Sequence, residues 1–367
     1  MKKIHVVCFT GNSGLTDYSV CLSRELSKAA DVTLVTASSF DADAYRQNIK
    51  VQKVFRRTRH YPLDIFRFAI STLREKPDIV VMQSWLKYPI FETLLLKVFS
   101  RAGISVGITV HDVLPHTPSR FSEFNLSLYY RYFDKVIVHS RRAAAALKSM
   151  HVEREPLVVP HASYELFKRS GLKKADVRRE FPGLADDDFV VLFFGHIETR
   201  KGIMELLKAV DMLKEFKKIK FLIAGRNDLG SSSASRKIFD EYQHAPNVVI
   251  HDRHIPLELV EQYFAVADVV TLPYLEGTTS GIAKLAMAFE KPVIATDVGD
   301  LGEFLEDWDG ELISSTDIAT GLAAAIKRRY AMGDRSGNVR VLDMSKYRWD
   351  VIGKKYLDYL VQDAPLQ

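Results

Sequence analysis

Residues 269–304 read VVTLPYLEGTTSGIAKLAMAFEKPVIATDVGDLGEF. Val269-Val270-Thr271-Leu272 is short, apolar and β-branched, the pattern of a strand buried on both faces. Pro273 ends it. Gly277, Thr278, Thr279, Ser280 and Gly281 are small or hydroxylated, and Ile282, Leu285, Ala286 and Phe289 then recur at helical spacing. Pro292-Val293-Ile294-Ala295-Thr296 is a second strand. Strand, small-residue loop, helix and strand in that order place backbone N–H groups and the positive end of a helix dipole at a strand's carboxyl end. Such a place binds phosphate. Hydroxyls at Thr278, Thr279 and Ser280 add donors, and their small size lets a ligand approach the backbone. The plain alternative is an ordinary strand-to-helix connection in an α/β domain.

The same alternation runs outward in both directions. In the first half, Ile4–Phe9 reads as a strand, Gly11-Asn12-Ser13-Gly14 as a turn, Asp17–Ala30 as a helix and Val32–Thr36 as the next strand. This is a βαβ unit, whose crossover implies a parallel sheet. Further strands are expected at Val51–Val54, Asp78–Met82, Ser105–Val110, Lys135–Ser140 and Leu157–His161, with helices at Ile90–Phe99 and Phe121–Phe133. His111-Asp112 follows the strand at Ser105–Val110, with His116 just beyond, where open α/β sheets hold ligands. The polar passage Tyr164–Asp188, with Gly171, Pro182 and Gly183, marks a domain boundary. The pattern then restarts: Phe189–Phe194 is a strand ending in Gly195-His196-Ile197-Glu198-Thr199-Arg200-Lys201-Gly202, and Lys220–Ala224 is one ending at Gly225-Arg226. Two doubly wound α/β domains are expected, 1–170 and 171–344, with a final helix over about 345–367.

Composition is that of a folded globular chain: 367 residues, 47% apolar and 26% charged. Cys8 and Cys21 lack a partner motif and read as reduced core residues. Met1-Lys2-Lys3 runs directly into a strand, so no signal peptide is expected, and no apolar run approaches a membrane span. The charge is asymmetric. Residues 1–165 hold 23 Lys+Arg against 15 Asp+Glu, a net +8 in a chain of net +5. Arg56, Arg57, Arg59 and Arg67 interleave there with Phe55, Tyr61, Phe66 and Phe68. One reading is an anionic membrane surface or acceptor met by Arg and aromatic rings. The other packs the rings in the core and leaves the arginines solvated.

At Gly195–Gly202 and Thr278–Val298 the chain resembles the family-4 glycosyltransferases of the GT-B fold. Asp268, Pro273-Tyr274, Ser280-Gly281 and Pro292–Gly299 are similar to that family's second domain, and His111-Asp112, Ser140 and Pro160-His161 to its first. Trp349 is similar to the start of its final crossover helix. The resemblance implies two Rossmann-like domains facing across a cleft, with a nucleotide sugar as donor. It implies that Lys201 meets the donor diphosphate, and that Thr278, Thr279, Ser280 and Gly281 meet the distal phosphate. It implies His111 beside the donor sugar and Gly11 to Gly14 near diphosphate and acceptor. The family's usual Arg is His196 here, with Arg200 close by in sequence, and Arg226 is a further candidate for the nucleotide. The usual pair of Glu eight positions apart falls on Gly277 and Leu285, with Glu276 one residue off, as in a branch of the family with a Thr-x-Ser-Gly loop.

A glycosyltransferase is therefore expected, retaining and without a catalytic metal or other cofactor. His111, Lys201 and Arg200 carry catalysis, and the acceptor is a glycan or a lipid-linked molecule of cell-surface polysaccharide or glycolipid synthesis. His116, Arg56, Arg57 and Arg59 serve acceptor or membrane. The expected place is the cytoplasm, at the inner face of the membrane. Nucleic acid is not expected as a partner. A sugar-nucleotide epimerase on the same fold and a non-catalytic sugar-nucleotide-binding subunit are the alternatives.

Overall fold

The computed structural model describes residues 1–45, 49–56, 58–115, 121–277, 279–333 and 344–362. Arg57, His116 and Thr278 lie outside the described residues.

The chain forms two compact units, Met1–Ala162 with Ser345–Gln367, and Ser163–Met344. The first holds strands β1 (Lys3–Val7), β2 (Asp31–Ala37), β3 (Lys50–Phe55), β4 (Ile79–Gln83), β5 (Ser105–Val110), β6 (Lys135–Val138) and β7 (Leu157–Val158). Between them run helices α1 (Gly14–Leu26), α2 (Ala42–Tyr45), α3 (Tyr61–Glu75), α4 (Pro89–Arg101), α5 (Ser122–Tyr130) and α6 (Arg141–Ser149). The sheet order is β3-β2-β1-β4-β5-β6-β7, all parallel. β4 is buried along its whole length, as a central parallel strand must be when helices cover both faces.

The second unit opens with α7 (Lys174–Val177) and continues through β8 (Phe189–Phe194), α8 (Ile203–Met212), β9 (Ile219–Gly225), α9 (Ala234–Glu241), β10 (Val248–Asp252) and α10 (Leu257–Val266). It ends with β11 (Val269–Leu272), α11 (Gly281–Ala288), β12 (Val293–Thr296), α12 (Leu301–Leu305), β13 (Gly310–Ile313) and α13 (Ile318–Met332). The parallel order is β10-β9-β8-β11-β12-β13. Both units are Rossmann-like. The polar passage read as the boundary is tied into this second unit. The buried Glu261 carboxylate accepts backbone N–H groups of Arg169, Ser170, Gly171 and Leu172 at 2.6–3.2 Å, and Lys174 pairs with Asp268 at 2.5 Å.

The last helix, α14 (Trp349–Val361), returns to the first unit and packs on α1. Tyr18 sits at this junction among the rings of Trp349, His111, His139 and His161, with centroids 4.7–5.1 Å away.

The basic, aromatic passage departs from its interfacial reading. Phe55, Tyr61 and Phe68 are buried in the core of the first unit, where Phe68 meets Phe99 edge-on, and of the four rings only Phe66 is exposed. The reason is periodicity. Tyr61 and Phe68 are two helical turns apart on the inner stripe of α3, while Phe66 and Arg67 lie on its outer side. Arg56 is paired with Asp64 at 2.7 Å, and Arg59 is exposed beside His60.

Candidate functional site

In each sheet the strand order reverses once, between β1 and β4 in the first unit and between β8 and β11 in the second. Ligands of open α/β sheets bind outside the carboxyl ends of the strands at such a point. The residues singled out in the sequence follow these strands: Gly11 and Gly14 after β1, Gly195–Gly202 after β8, and Pro273–Gly281 after β11.

In the second unit these loops are in backbone contact. A Cβ on Gly225 would lie 1.8 Å from the Gly195 carbonyl oxygen, and one on Gly202 would lie 1.8 Å from that of Pro273. Both glycines also have positive φ, which a side chain resists. The Leu275 N–H donates to the Arg200 carbonyl at 2.8 Å, joining the loops after β8 and β11 again.

Lys201 folds back over this junction. Its Nζ is 3.4 Å from the position a Cβ on Gly195 would take, and 5.9 Å from the centre of the Tyr274 ring. The half-buried ammonium has its pKa lowered to about 8, first by desolvation, with Glu198 opposing and Arg200 adding to the fall. Arg200 is clamped by Glu198 at 2.5 Å. His196 and Arg226 converge on one carboxylate, Asp228: His196 Nδ1 contacts one oxygen and Arg226 Nε donates to the other at 2.9 Å. Arg226 Nη2 lies 3.5 Å from His196 Nδ1, so its guanidinium stands beside the His196 ring. His196 first and Arg226 second hold the Asp228 carboxyl below its usual range.

His196, Glu198 and Asp228 offer three ligand atoms within 4.8 Å of one another, a spacing that could hold a metal ion. Each carboxylate already faces an arginine, Arg200 for Glu198 and Arg226 for Asp228.

α11 begins where the sequence placed it. Ser280 is its N-cap, and its Oγ accepts the Ala283 N–H at 3.3 Å and lies 3.4 Å from Tyr274 Oη. Thr279 is half-buried and Glu276 exposed on the preceding loop. The sequence reading missed the group behind this cap. Asp300, after β12, is buried, accepts the Ser280 N–H at 3.4 Å and faces the buried Lys284 ammonium at 3.7 Å. Desolvation raises the Asp300 pKa and lowers that of Lys284, and the pairing of the two charges opposes both shifts. Asp228 was missed too, although it stands only two residues after Arg226.

In the first unit, Ser13 caps α1 and forms a capping box with Thr16. Gly14 is the first residue of that helix rather than part of the turn. Nothing lies within 4 Å of a Cβ built on it, whereas one on Gly11 would collide with Ser39 Oγ at 2.5 Å and Phe40 N at 2.7 Å. Gly11 is thus required by the fold itself. His111 follows β5, and its Nε2 meets Gln83 Oε1 at 3.1 Å. Burial, then His139 and His161, hold its pKa well below the ordinary imidazole value, so the ring is neutral at pH 7. Asp17, in the first turn of α1, accepts the Tyr45 hydroxyl at 2.6 Å, and desolvation raises its pKa to about 7.

Both units match known families. Residues 12–162 match the family Glycosyltransferase Family 4, and residues 188–331 match Glycosyl transferases group 1. The chain is 27% identical over 240 residues to the lipopolysaccharide 1,2-N-acetylglucosaminetransferase of Salmonella typhimurium, covering 60% of each. Matches to the curated relatives span 36–60% of the relative's length. Among solved structures, sucrose-phosphate synthase from Thermosynechococcus elongatus superposes with TM-score 0.75 at 20% identity over 98% of both chains. The Anabaena protein HepE, in complex with UDP and glucose, superposes with TM-score 0.77 at 15% identity over 99% of this chain and 100% of its own. At such identity the likeness carries the GT-B fold alone.

Proposed function

Because the chain belongs to family 4 of the glycosyltransferases, with the GT-B fold, we propose that it moves a sugar from a nucleoside-diphosphate sugar to a glycan or lipid-linked acceptor of surface polysaccharide or glycolipid synthesis. The observation that carries the donor class is Lys201. It is a partly desolvated cation at the strand-order reversal, seated over a residue without a side chain and beside a capped helix N-terminus. That combination suits a diphosphate, whose charge grows as it departs.

The residues divide the work as follows. Lys201 and Arg200 neutralise the departing diphosphate, and Arg226 supplies the cation that His196 does not. Ser280 and the start of α11 receive the distal phosphate, with Thr279 beside them. His111, neutral and held by Gln83, hydrogen-bonds the donor sugar without titrating. Transfer proceeds with retention by front-face displacement, since catalysis here rests on positioning and leaving-group stabilisation. The arginines facing Glu198 and Asp228 favour a reaction without a catalytic metal.

No described helix is long and apolar enough to cross a membrane. A lipid-linked acceptor would then be met by docking at the cytoplasmic face.

The test is a panel of UDP-, GDP- and ADP-sugars screened for thermal stabilisation, followed by reaction with the labelled donor that binds. A transferase releases nucleoside diphosphate and leaves label on the acceptor. An epimerase changes only the sugar, and a binding subunit does neither. Stabilisation without release of nucleoside diphosphate to any acceptor extract would overturn the reading.

A further inference from the structure

The first unit carries an apolar surface that its own core does not use. α4 buries Leu95, Leu96 and Phe99, yet Phe91, Leu94 and Val98 lie exposed along its other side at helical spacing. α5 buries Leu126, Tyr129 and Tyr130, and exposes Phe124 and Leu128 on its other side, with Phe121 at its N-cap also exposed. α3 adds exposed Leu63 and Phe66. Phe91 is 74% exposed and Leu94 67%, against 6% for Leu95 and 1% for Leu96 on the inner side. A helix that is apolar on both sides is ordinarily buried on both sides, and a contiguous exposed patch of this kind marks an interaction site.

The three helices form one platform. The buried Glu92 carboxylate on α4 accepts the Tyr61 hydroxyl from α3 and the Tyr129 hydroxyl from α5 at 3.0 Å. It also accepts the N–H groups of Leu86, Lys87 and Tyr88 at 2.7–3.0 Å. On the outer surface Lys97 of α4 lies 4.8 Å over the ring of Tyr132, just past α5, so the exposed stripes of α4 and α5 adjoin. Tyr88, at the start of α4, is exposed with the Lys87 ammonium 5.1 Å over its ring and Phe91 beside it.

The charges select the occupant. The exposed charges on these helices are Arg67, Arg74, Lys97 and Arg101 against Glu123. A second copy of the chain would oppose cations to cations on a half that carries a net +8. An anionic lipid leaflet complements them, takes phenylalanine and leucine into its acyl region, and holds tyrosine and lysine at its headgroups. We propose that the outer face of α3, α4 and α5 docks this protein on an anionic membrane surface. The proposal rests on the lipid-linked acceptor of the transferase reading, and moves the docking surface from the arginines near residue 57 to the exposed rings of α4 and α5.

Flotation of the full chain with vesicles tests it, using phosphatidylcholine with one-third phosphatidylglycerol against phosphatidylcholine alone. The chain is expected to float with the anionic vesicles and to be released by salt. The combined substitution Phe91→Ser, Leu94→Ser and Phe124→Ser should cut binding by roughly tenfold or more, since it removes the inserted apolar area. Lys97→Glu with Arg101→Glu should abolish the preference for anionic lipid. Circular dichroism and the melting temperature of each variant establish that it is folded. No flotation with anionic vesicles at low salt, or equal flotation of the folded triple variant, would overturn the proposal. A wild-type dimer in sedimentation that the triple variant makes monomeric would assign the face to a second copy instead. Turnover on a soluble acceptor is read separately. Flotation without any transferase activity would sink the transferase reading and leave the docking surface standing.

Discussion

The hydroxyls of Tyr18 and Tyr356 lie 2.7 Å apart, both fully buried, joining α1 to α14 across 338 residues of sequence. Tyr356 also reaches Thr109 Oγ1 on β5 at 3.3 Å. Tyr356→Phe leaves these buried hydroxyls with one partner fewer. It is expected to lower stability by about 1–3 kcal/mol, read as a fall in the urea midpoint with an unchanged slope.

Glycines test fold and ligand separately. Gly225→Ala forces a Cβ onto a carbonyl oxygen at 1.8 Å and should destabilise the second unit by about 4 kcal/mol or more. Gly281→Ala meets only Tyr164, at an ordinary 3.5 Å, and Gly14→Ala meets nothing. Both should fold with near-normal melting temperatures, so any loss of donor affinity in them reports the ligand. Weakened donor affinity is expected for Gly281→Ala. A folded Gly281→Ala with unchanged affinity would remove the start of α11 from the phosphate site.

Lys201→Ala is expected to reduce turnover by at least an order of magnitude, about 2–4 kcal/mol of lost charge stabilisation. The free ammonium has a pKa of about 8, below the ordinary lysine value. Donor binding needs the charged form, so affinity falls as pH rises through about 8. Lys201→Arg keeps its charge and should flatten that fall. Titrating donor affinity from pH 6.5 to 9.5 in the two proteins decides it.

The fold and half of this site were legible because both are written locally. A strand followed by Gly195 and Lys201, or by Ser280 and Gly281, declares itself within ten residues. Asp300 did not, because its role comes from burial opposite Lys284, a partner on a different element. α3 was hidden by its own amphipathicity. Arg67 beside Phe68 reads as a basic, aromatic run until the helical period separates the buried Phe68 from the exposed Arg67. At α4 the sequence marks a helix but not its faces, and only the packing shows that Phe91 and Leu94 face outward.

Asp17 gives a stability signature against pH. Its folded pKa of about 7 lies above the ordinary carboxyl value of 3.8, so the folded state holds the proton more tightly than the unfolded one. The resulting stabilisation is complete below about pH 4 and is lost as pH rises through about 7. Asp17→Asn keeps an acceptor for Tyr45 and removes the titration. It should therefore melt higher than the wild type at pH 8, with the gap closing by pH 5, in paired thermal scans. An equal gap at both pH values would show that Asp17 titrates normally.

The first unit is assembled from two separated segments, and this sets an order of events during synthesis. β1 to β7 leave the ribosome before the whole of Ser163–Met344, and α14 follows only after it. At about 5–20 residues per second that interval is roughly 10–40 s. Through it the surface of α1 that receives Tyr356 and Trp349 stays uncovered, while the continuous second unit can complete its own core. The nascent first unit is therefore the species that chaperones or ribosome-proximal contacts must shield, and the late docking of α14 closes it.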